Sequence, residues 1–218
     1  MKKYLLILIP IVSLLLGSCK KDAVDYTGFE TIDPNSSYLP SKKGTYWKYE
    51  TDFNGTKSTN TITLTGNKTT INGKNYLDYT GEAPGQPVQT GYYYMGNHQY
   101  NVRASAQGYT LDILYLVDNY EIGQEWTGPI NDQGTINGIP GRVRGKILEK
   151  GITMEVLGKK HTGVYHTQAY IEYNLFGNGF ENFGTYDYYI AKGVGLIEID
   201  SELSGFSASS KLMEYAIK

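Results

Sequence analysis

From Gly44 onward, apolar and polar side chains alternate with a period of two, and turn residues interrupt the alternation every eight to twelve positions. A strand sends successive side chains to opposite sides, whereas a helix repeats every 3.6 residues. The pattern therefore commits this part of the chain to β structure. Trp47, Tyr49, Thr51 and Phe53 share one face, Lys48, Glu50 and Asp52 share the other, and Asn54-Gly55 closes a turn. Ile62 and Leu64 mark a second strand that Gly66-Asn67 is expected to end. Asn72-Gly73 separates the short pair 68–71 and 75–80, and Gly96-Asn97 is the expected loop between 92–95 and 98–103. Tyr109, Leu111, Ile113, Tyr115 and Val117 alternate with Leu114 and Leu116 opposite, which predicts a central strand buried on both faces near its end.

The second half continues in the same style. Val143, Gly145 and Ile147 oppose Arg142, Arg144 and Lys146, and Ile152, Met154 and Val156 follow Lys150-Gly151 as a separate strand. Tyr165 to Tyr173 form a long strand with Ala169 and Ile171 inward. Tyr186, Tyr188 and Ile190 form the next, and Gly193-Val194-Gly195 turns it. Ile197 and Ile199 then face in while Glu198 and Asp200 face out, and Met213, Tyr215 and Ile217 finish the chain. The expected fold is all-β, a single antiparallel meander of about eleven strands over 44–218, either a half-barrel or an open barrel. A domain of this size buries roughly 70% of the unfolded chain's surface, enough for a core without disulfides.

Composition removes several classes of function. The single Cys excludes an intrachain disulfide framework, a zinc knuckle and a Cys-x-x-Cys redox site. A net charge of −2 argues against a nucleic-acid binder, which carries a basic excess.

The one Cys follows a distinctive leader. Lys2 and Lys3 precede an apolar run of thirteen residues, Tyr4 to Leu16. This is too short to span a membrane as a helix, which needs roughly 20 apolar residues, and has the shape of a signal peptide. Leu16-Gly17-Ser18-Cys19 resembles a lipobox, the recognition sequence of the bacterial lipoprotein signal peptidase. The resemblance implies cleavage after residue 18 and a Cys19 carrying a thioether-linked diacylglycerol and an acylated amine. Each buried methylene contributes ~0.8 kcal/mol, so several acyl chains hold permanently. Cleavage removes Lys2 and Lys3 and no acid, leaving 18 basic against 22 acidic side chains. Residues 19–43 are the lipidated Cys and a flexible tether, with eight charged residues, Pro34, Pro40 and Asn35-Ser36-Ser37. Lys20 after the Cys, where Asp would retain a lipoprotein in the inner membrane, points to the outer membrane. Cys-Lys-Lys-Asp also resembles the export signal of Bacteroidota surface lipoproteins, although Ala23 and Val24 break its acidic run. Periplasmic and surface orientations are both open.

Pro40-Ser-Lys-Lys-Gly44-Thr-Tyr-Trp47, Gly123-Gln-Glu-Trp126 and Tyr188-Tyr-Ile-Ala-Lys-Gly-Val-Gly-Leu196 together resemble a broad group of Bacteroidota envelope lipoproteins. That group shares a Pro-x-x-x-Gly-x-x-Trp start and a Tyr-Tyr-Ala-Lys-Gly-Val-Gly-Leu ending, from which Ile190 departs. The likeness covers Pro40 to Ile217 and implies no activity, because the group has none assigned. Some of its members resemble the curved half-barrels of lipoprotein carriers.

Chemical motifs are sparse. The chain has no Gly-x-Ser-x-Gly elbow, His-Glu-x-x-His or P-loop. His161 and His166 are five apart and point to opposite strand faces, and His98 is remote in sequence, so no metal site is expected. Asn131-Asp132-Gln133-Gly134 lacks the alternating acids of a calcium loop and is expected as a turn. Asp112, Asp118 and Glu121 are expected as solvated loop acids, with a paired-carboxylate site as the alternative. Arg142, Arg144 and Lys146 are expected to guard a solvated edge strand. Trp47 and Trp126 are expected to cover the ends of the β core.

Two aromatic stretches remain as candidate ligand contacts. Leu175 to Gly184 mixes Phe176, Phe180 and Phe183 with Asn and Gly, next to Tyr186. Such a loop serves as a lip over an apolar cavity or a stacking surface for sugars, or simply folds back on the barrel end. Tyr92, Tyr93 and Tyr94 must use both sheet faces, which makes Tyr92 and Tyr94 candidates. The expected protein is a non-catalytic, membrane-anchored binding module, monomeric, without cofactor or metal. An apolar or lipidic ligand is the first reading and a surface glycan or protein the second.

Overall fold

A computed structural model describes residues 37–106 and 108–218. The expected signal peptide, Leu16, Gly17, Ser18, Cys19 and most of the expected tether lie outside the described residues.

The protein is all-β and antiparallel. Among the described residues thirteen strands follow one another, beginning with β1 (Tyr46–Phe53), β2 (Thr56–Ile71), β3 (Lys74–Glu82), β4 (Gln89–Gly96), β5 (Gln99–Ala106), β6 (Tyr109–Val117) and β7 (Glu125–Pro129). After these come β8 (Thr135–Ile136), β9 (Ile139–Val156), β10 (Lys159–Tyr173), β11 (Glu181–Ala191), β12 (Gly195–Leu203) and β13 (Phe206–Ala216). Asn54 and Gly55 have φ of 49° and 85°, and Asn72 and Gly73 have 49° and 79°. These left-handed pairs are the two-residue hairpin loops that Asn-Gly announces.

Three expected turns fall differently. The left-handed pair between β4 and β5 is Asn97 and His98, φ 48° and 61°, one residue beyond Gly96-Asn97. Asn and His both tolerate that region, which leaves Gly96 free to pair with Gln99. Gly66 does not end the second strand. It sits at φ 83° in a register slip between Leu64 and Lys68, so β2 bends and continues to Ile71. Gly151, φ 71°, likewise lies inside the 18-residue β9. A glycine at positive φ serves a bulge as well as a turn, and bulges bend long strands enough to roll a sheet.

The hydrogen-bonded order is β6-β5-β4-β3-β2-β1-β13-β12-β11-β10-β9-β7, with β8 attached to β9. The first and last long strands therefore zip together, from Tyr46 against Ala216 to Phe53 against Ala208. The open seam lies mid-chain, between β6 and the β7–β9 edge. Isolated bonds cross it in place of a ladder: Asp112 N–H to Ile130 O at 2.8 Å, Trp126 Nε1–H to Leu114 O at 3.0 Å, and Thr167 Oγ1–H to Tyr115 O at 2.6 Å. β6 is thus terminal in the order and not central, yet it is buried from Asp112 to Val117. Leu114 and Val117 face Trp126 and Ile147 on one side, while Ile113 and Tyr115 join the main core on the other.

The expected tether is shorter at its C-terminal end. Ser37, Tyr38 and Leu39 are buried, the Tyr38 ring lies 4.6 Å from Tyr165, and Ser37 O accepts from Gly193 N–H at 2.9 Å. Tyr38 and Leu39 close the lower end of the barrel. Trp47 completes that floor, its Nε1–H donating to Val194 O at 2.6 Å.

Candidate interior binding site

In the antiparallel sheet, the end of β1 and the starts of β6, β11 and β13 share one pole of the barrel. Inner-face side chains in this half do not meet. They leave a cavity of about 470 Å³, within the range of small-molecule pockets. Tyr79, Tyr93, Val102, Ile113, Tyr188 and Ile199 form much of its wall, and among the described residues no charged side chain lines it. It opens where Tyr109, 42% exposed, stands beside Ile136 and Tyr173. Below it, Tyr49, Tyr100 and Tyr115 fill the barrel, and Tyr49 donates its hydroxyl to Leu196 O at 2.9 Å.

The phenols around the cavity are differently placed. Among the described residues, the hydroxyls of Tyr79, Tyr93, Tyr186 and Tyr188 make no hydrogen bond, and the Tyr115 hydroxyl is buried without a partner. Burial pushes Tyr79 up to about 12, and burial together with neighbouring phenol oxygens pushes Tyr93, Tyr115 and Tyr188 well above the ordinary range. These groups stay neutral donors at any physiological pH.

The candidate residues separate. Tyr186 lines the cavity. Tyr92 and Tyr94 do not; they lie on the opposite face of β4 with Tyr76, whose ring is 6.4 Å and 5.6 Å from theirs. Tyr93, between them, is the member of the triplet that lines it. Three identical residues in a row carry no parity, so only the register with β3 and β5 decides which one points in. Phe176, Phe180 and Phe183 stand at the rim. Phe183 meets Tyr173 edge-to-face at 5.2 Å, Phe180 lies 4.2 Å over the Arg142 guanidinium, and Phe176 is 78% exposed. At the same pole Phe53 and Phe206 stack at 6.2 Å. All five described phenylalanines are therefore exposed at the open end, while the core aromatics are Tyr and Trp.

Titratable clusters elsewhere are tied up internally. Asp112, expected as a solvated acid, is buried and accepts from Tyr76 Oη at 2.5 Å and Asn101 Nδ2 at 2.8 Å. Asp118 binds His98 Nδ1 at 2.7 Å and Tyr100 Oη at 2.9 Å, and Glu121 reaches Lys150 at 3.6 Å. The three carboxylates thus belong to separate networks. Arg142 and Arg144 do not guard a solvated edge: both clamp buried Glu172 at 2.7 Å, because β9 is paired on both sides there. Glu198 is buried against Lys211 at 3.1 Å although it points away from Ile199. Asn131 Oδ1 accepts from the Gln133 and Thr135 amides, an Asx turn. His161 is buried, which lowers its pKa. His166 is also held down by burial, but hydrogen bonds to Asp187 and Glu149 outweigh this and raise it. Among the described residues no group of His, Cys, Asp or Glu is placed to hold a metal.

No protein-family model and no curated protein matches this chain. Solved structures resemble it at low identity. One is a protein described as exported, with a YmcC-like fold, from Bacteroides fragilis (8% identity, 82% of this chain, 98% of that chain, TM-score 0.49). Another is described as a lipoprotein from Parabacteroides distasonis (11% identity, 82% and 98%, TM-score 0.44). A third is a β-barrel-like domain of unknown function from Brucella abortus (9% identity, 83% and 100%, TM-score 0.43).

Proposed function

We propose that this is a lipid-anchored envelope protein whose open barrel holds an apolar, lipidic ligand. The carrying observation is the cavity of about 470 Å³, walled by aliphatic and aromatic side chains without a charge. A charged or sugar-like ligand would lose its hydration there without compensation, whereas an apolar one gains ~25 cal/mol for each Å² removed from water. The exposed phenylalanines at the same pole support the same reading, since they offer apolar surface near the mouth. A glycan platform has less support, because both Trp are buried and, apart from Tyr109, the exposed rings are Phe. We read the domain as a binder without chemistry of its own, the buried carboxylates Asp112, Glu172 and Glu198 outside the cavity being held by Tyr76 and Asn101, by Arg142 and Arg144, and by Lys211.

Mass spectrometry of the purified mature chain tests the reading directly, and a lipidic species is expected to accompany it. Val102→Trp, which puts an indole into the cavity, is expected to abolish that co-purification and to weaken binding of an apolar fluorophore at least tenfold while leaving the fold intact. Unchanged binding by this variant would exclude the cavity as the site. For the anchor, the Leu16-Gly17-Ser18-Cys19 sequence supports outer-membrane attachment through Cys19. Cys19→Ala is expected to remove the protein from the outer-membrane fraction, and its persistence there would sink the assignment.

A further inference from the structure

Aromatic placement in this protein runs against hydropathy. Phe and Tyr offer the same ring, and burying the hydroxyl of Tyr without a partner forfeits its hydrogen bonds to water. The favourable arrangement is Phe inside and Tyr outside. Here all five described Phe are exposed, by 37% to 78%, while Tyr93 and Tyr188 are 3% and 2% exposed on the cavity wall with unpartnered hydroxyls. Tyr79 and the half-buried Tyr186 stand beside them, also without a hydrogen-bond partner, and the unpartnered Tyr115 hydroxyl lies just behind, its ring 5.5 Å from Tyr188. Several donors thus border one apolar space with no acceptor for them among the described residues.

We infer that the cavity selects lipidic ligands carrying a neutral hydrogen-bond acceptor, an ester, ketone or quinone carbonyl, which Tyr93 and Tyr188 hold against its inner wall. This rests on the cavity being the ligand site and specifies the ligand's chemistry. The acceptor is neutral because the wall supplies hydroxyls and no cation. An ionised carboxylate or phosphate would be buried there without a counter-charge, at a cost that hydroxyl donors alone do not offset. A carbonyl oxygen accepts two hydrogen bonds and carries no charge, and the phenol O–H rotates freely to meet it. A pure hydrocarbon would fill the same volume and leave the hydroxyls unmatched.

The test uses the chain from Lys20, which lacks the lipid-bearing Cys19 and holds every described residue. Dodecane, 2-dodecanone and dodecanoate at pH 8 are compared as displacers of 1-aminoanthracene. The ketone is expected to bind at least tenfold more tightly than the alkane, and the carboxylate more weakly than the ketone. In the Tyr93→Phe/Tyr188→Phe variant the ketone is expected to fall to the alkane's affinity with the alkane unchanged, which also shows that the cavity has kept its shape. Equal binding of ketone and alkane by the parent chain would overturn the inference, as would a ketone preference that survives in the double variant or a preference for the carboxylate. In the first two of those cases the apolar-ligand reading stands, whereas a preference for the carboxylate would overturn it as well. If neither alkane nor ketone displaces the probe, that reading itself fails, and the selectivity with it.

Discussion

Alkali is expected to unfold this protein cooperatively, beginning just above the ordinary tyrosine pKa of about 10. An unfolded Tyr ionises there, whereas burial holds Tyr49, Tyr93, Tyr115 and Tyr188 protonated well beyond it in the folded barrel. The raised folded values fix the sign. The stability linked to these groups is fully present below about pH 10 and is lost as the pH climbs, because only the unfolded chain releases the protons. Each such group costs about 1.4 kcal/mol per pH unit, so four together cost roughly 5 kcal/mol per unit. Tyr79, held at about 12, adds its share between the unfolded value and its own. A typical domain has ~5–15 kcal/mol to lose, which places the transition roughly one to three units above pH 10. The buried tyrosines' share of the tyrosinate absorbance is expected to appear in one step, together with the loss of the β-sheet circular dichroism signal. A gradual absorbance change that finishes before the sheet melts would mean the phenols ionise in the folded state, and that their burial is overstated.

The seam carries the second large effect. Trp126 is fully buried, donates to Leu114 O, and lies against Gly145, where an added Cβ would overlap the indole. Gly145→Ala is expected to destabilise by about 1–3 kcal/mol through overpacking, and Trp126→Ala by about 3–5 kcal/mol through the lost indole and the cavity it leaves. The pair should not be additive. With the indole removed, the methyl added at position 145 occupies vacated space, so Gly145→Ala should cost nothing measurable in that background. Urea unfolding of the four proteins of this cycle measures the coupling, and additive losses would show that the glycine matters for its backbone and not for the indole above it.

Much of the barrel is legible from one chain of letters, and the failures have identifiable causes. Period-two alternation and the Asn54-Gly55 and Asn72-Gly73 pairs locate strands and hairpins, because each acts within a few residues. Gly66 and Gly151 mislead because positive φ suits a bulge and a turn equally, and only the partner strand decides between them. The burial of β6 is visible in its composition, but its position at the seam depends on which distant strand it meets. Tyr186 is picked out by its place in an aromatic stretch, whereas Tyr93 is hidden between two equivalent neighbours. The cavity itself has no local signature. It exists because side chains from at least six strands stop short of one another. The exchange of Phe and Tyr between surface and interior likewise emerges only once both poles of the barrel are known.

The placement of Ser37 to Leu39 has a mechanical consequence. The chain enters the barrel at the pole opposite the mouth, and β1 then runs toward that mouth with β2 on one flank and β13 on the other. A pull on the chain upstream of Ser37 directed away from the mouth therefore acts along the strand axis. It loads both ladders of β1 in shear at once, where a pull across the sheet would peel one bond at a time. The tyrosine and leucine of the floor act as a wedge ahead of those ladders. A leash fastened upstream can thus bear tension while the opposite pole, with its rim and cavity, stays unloaded.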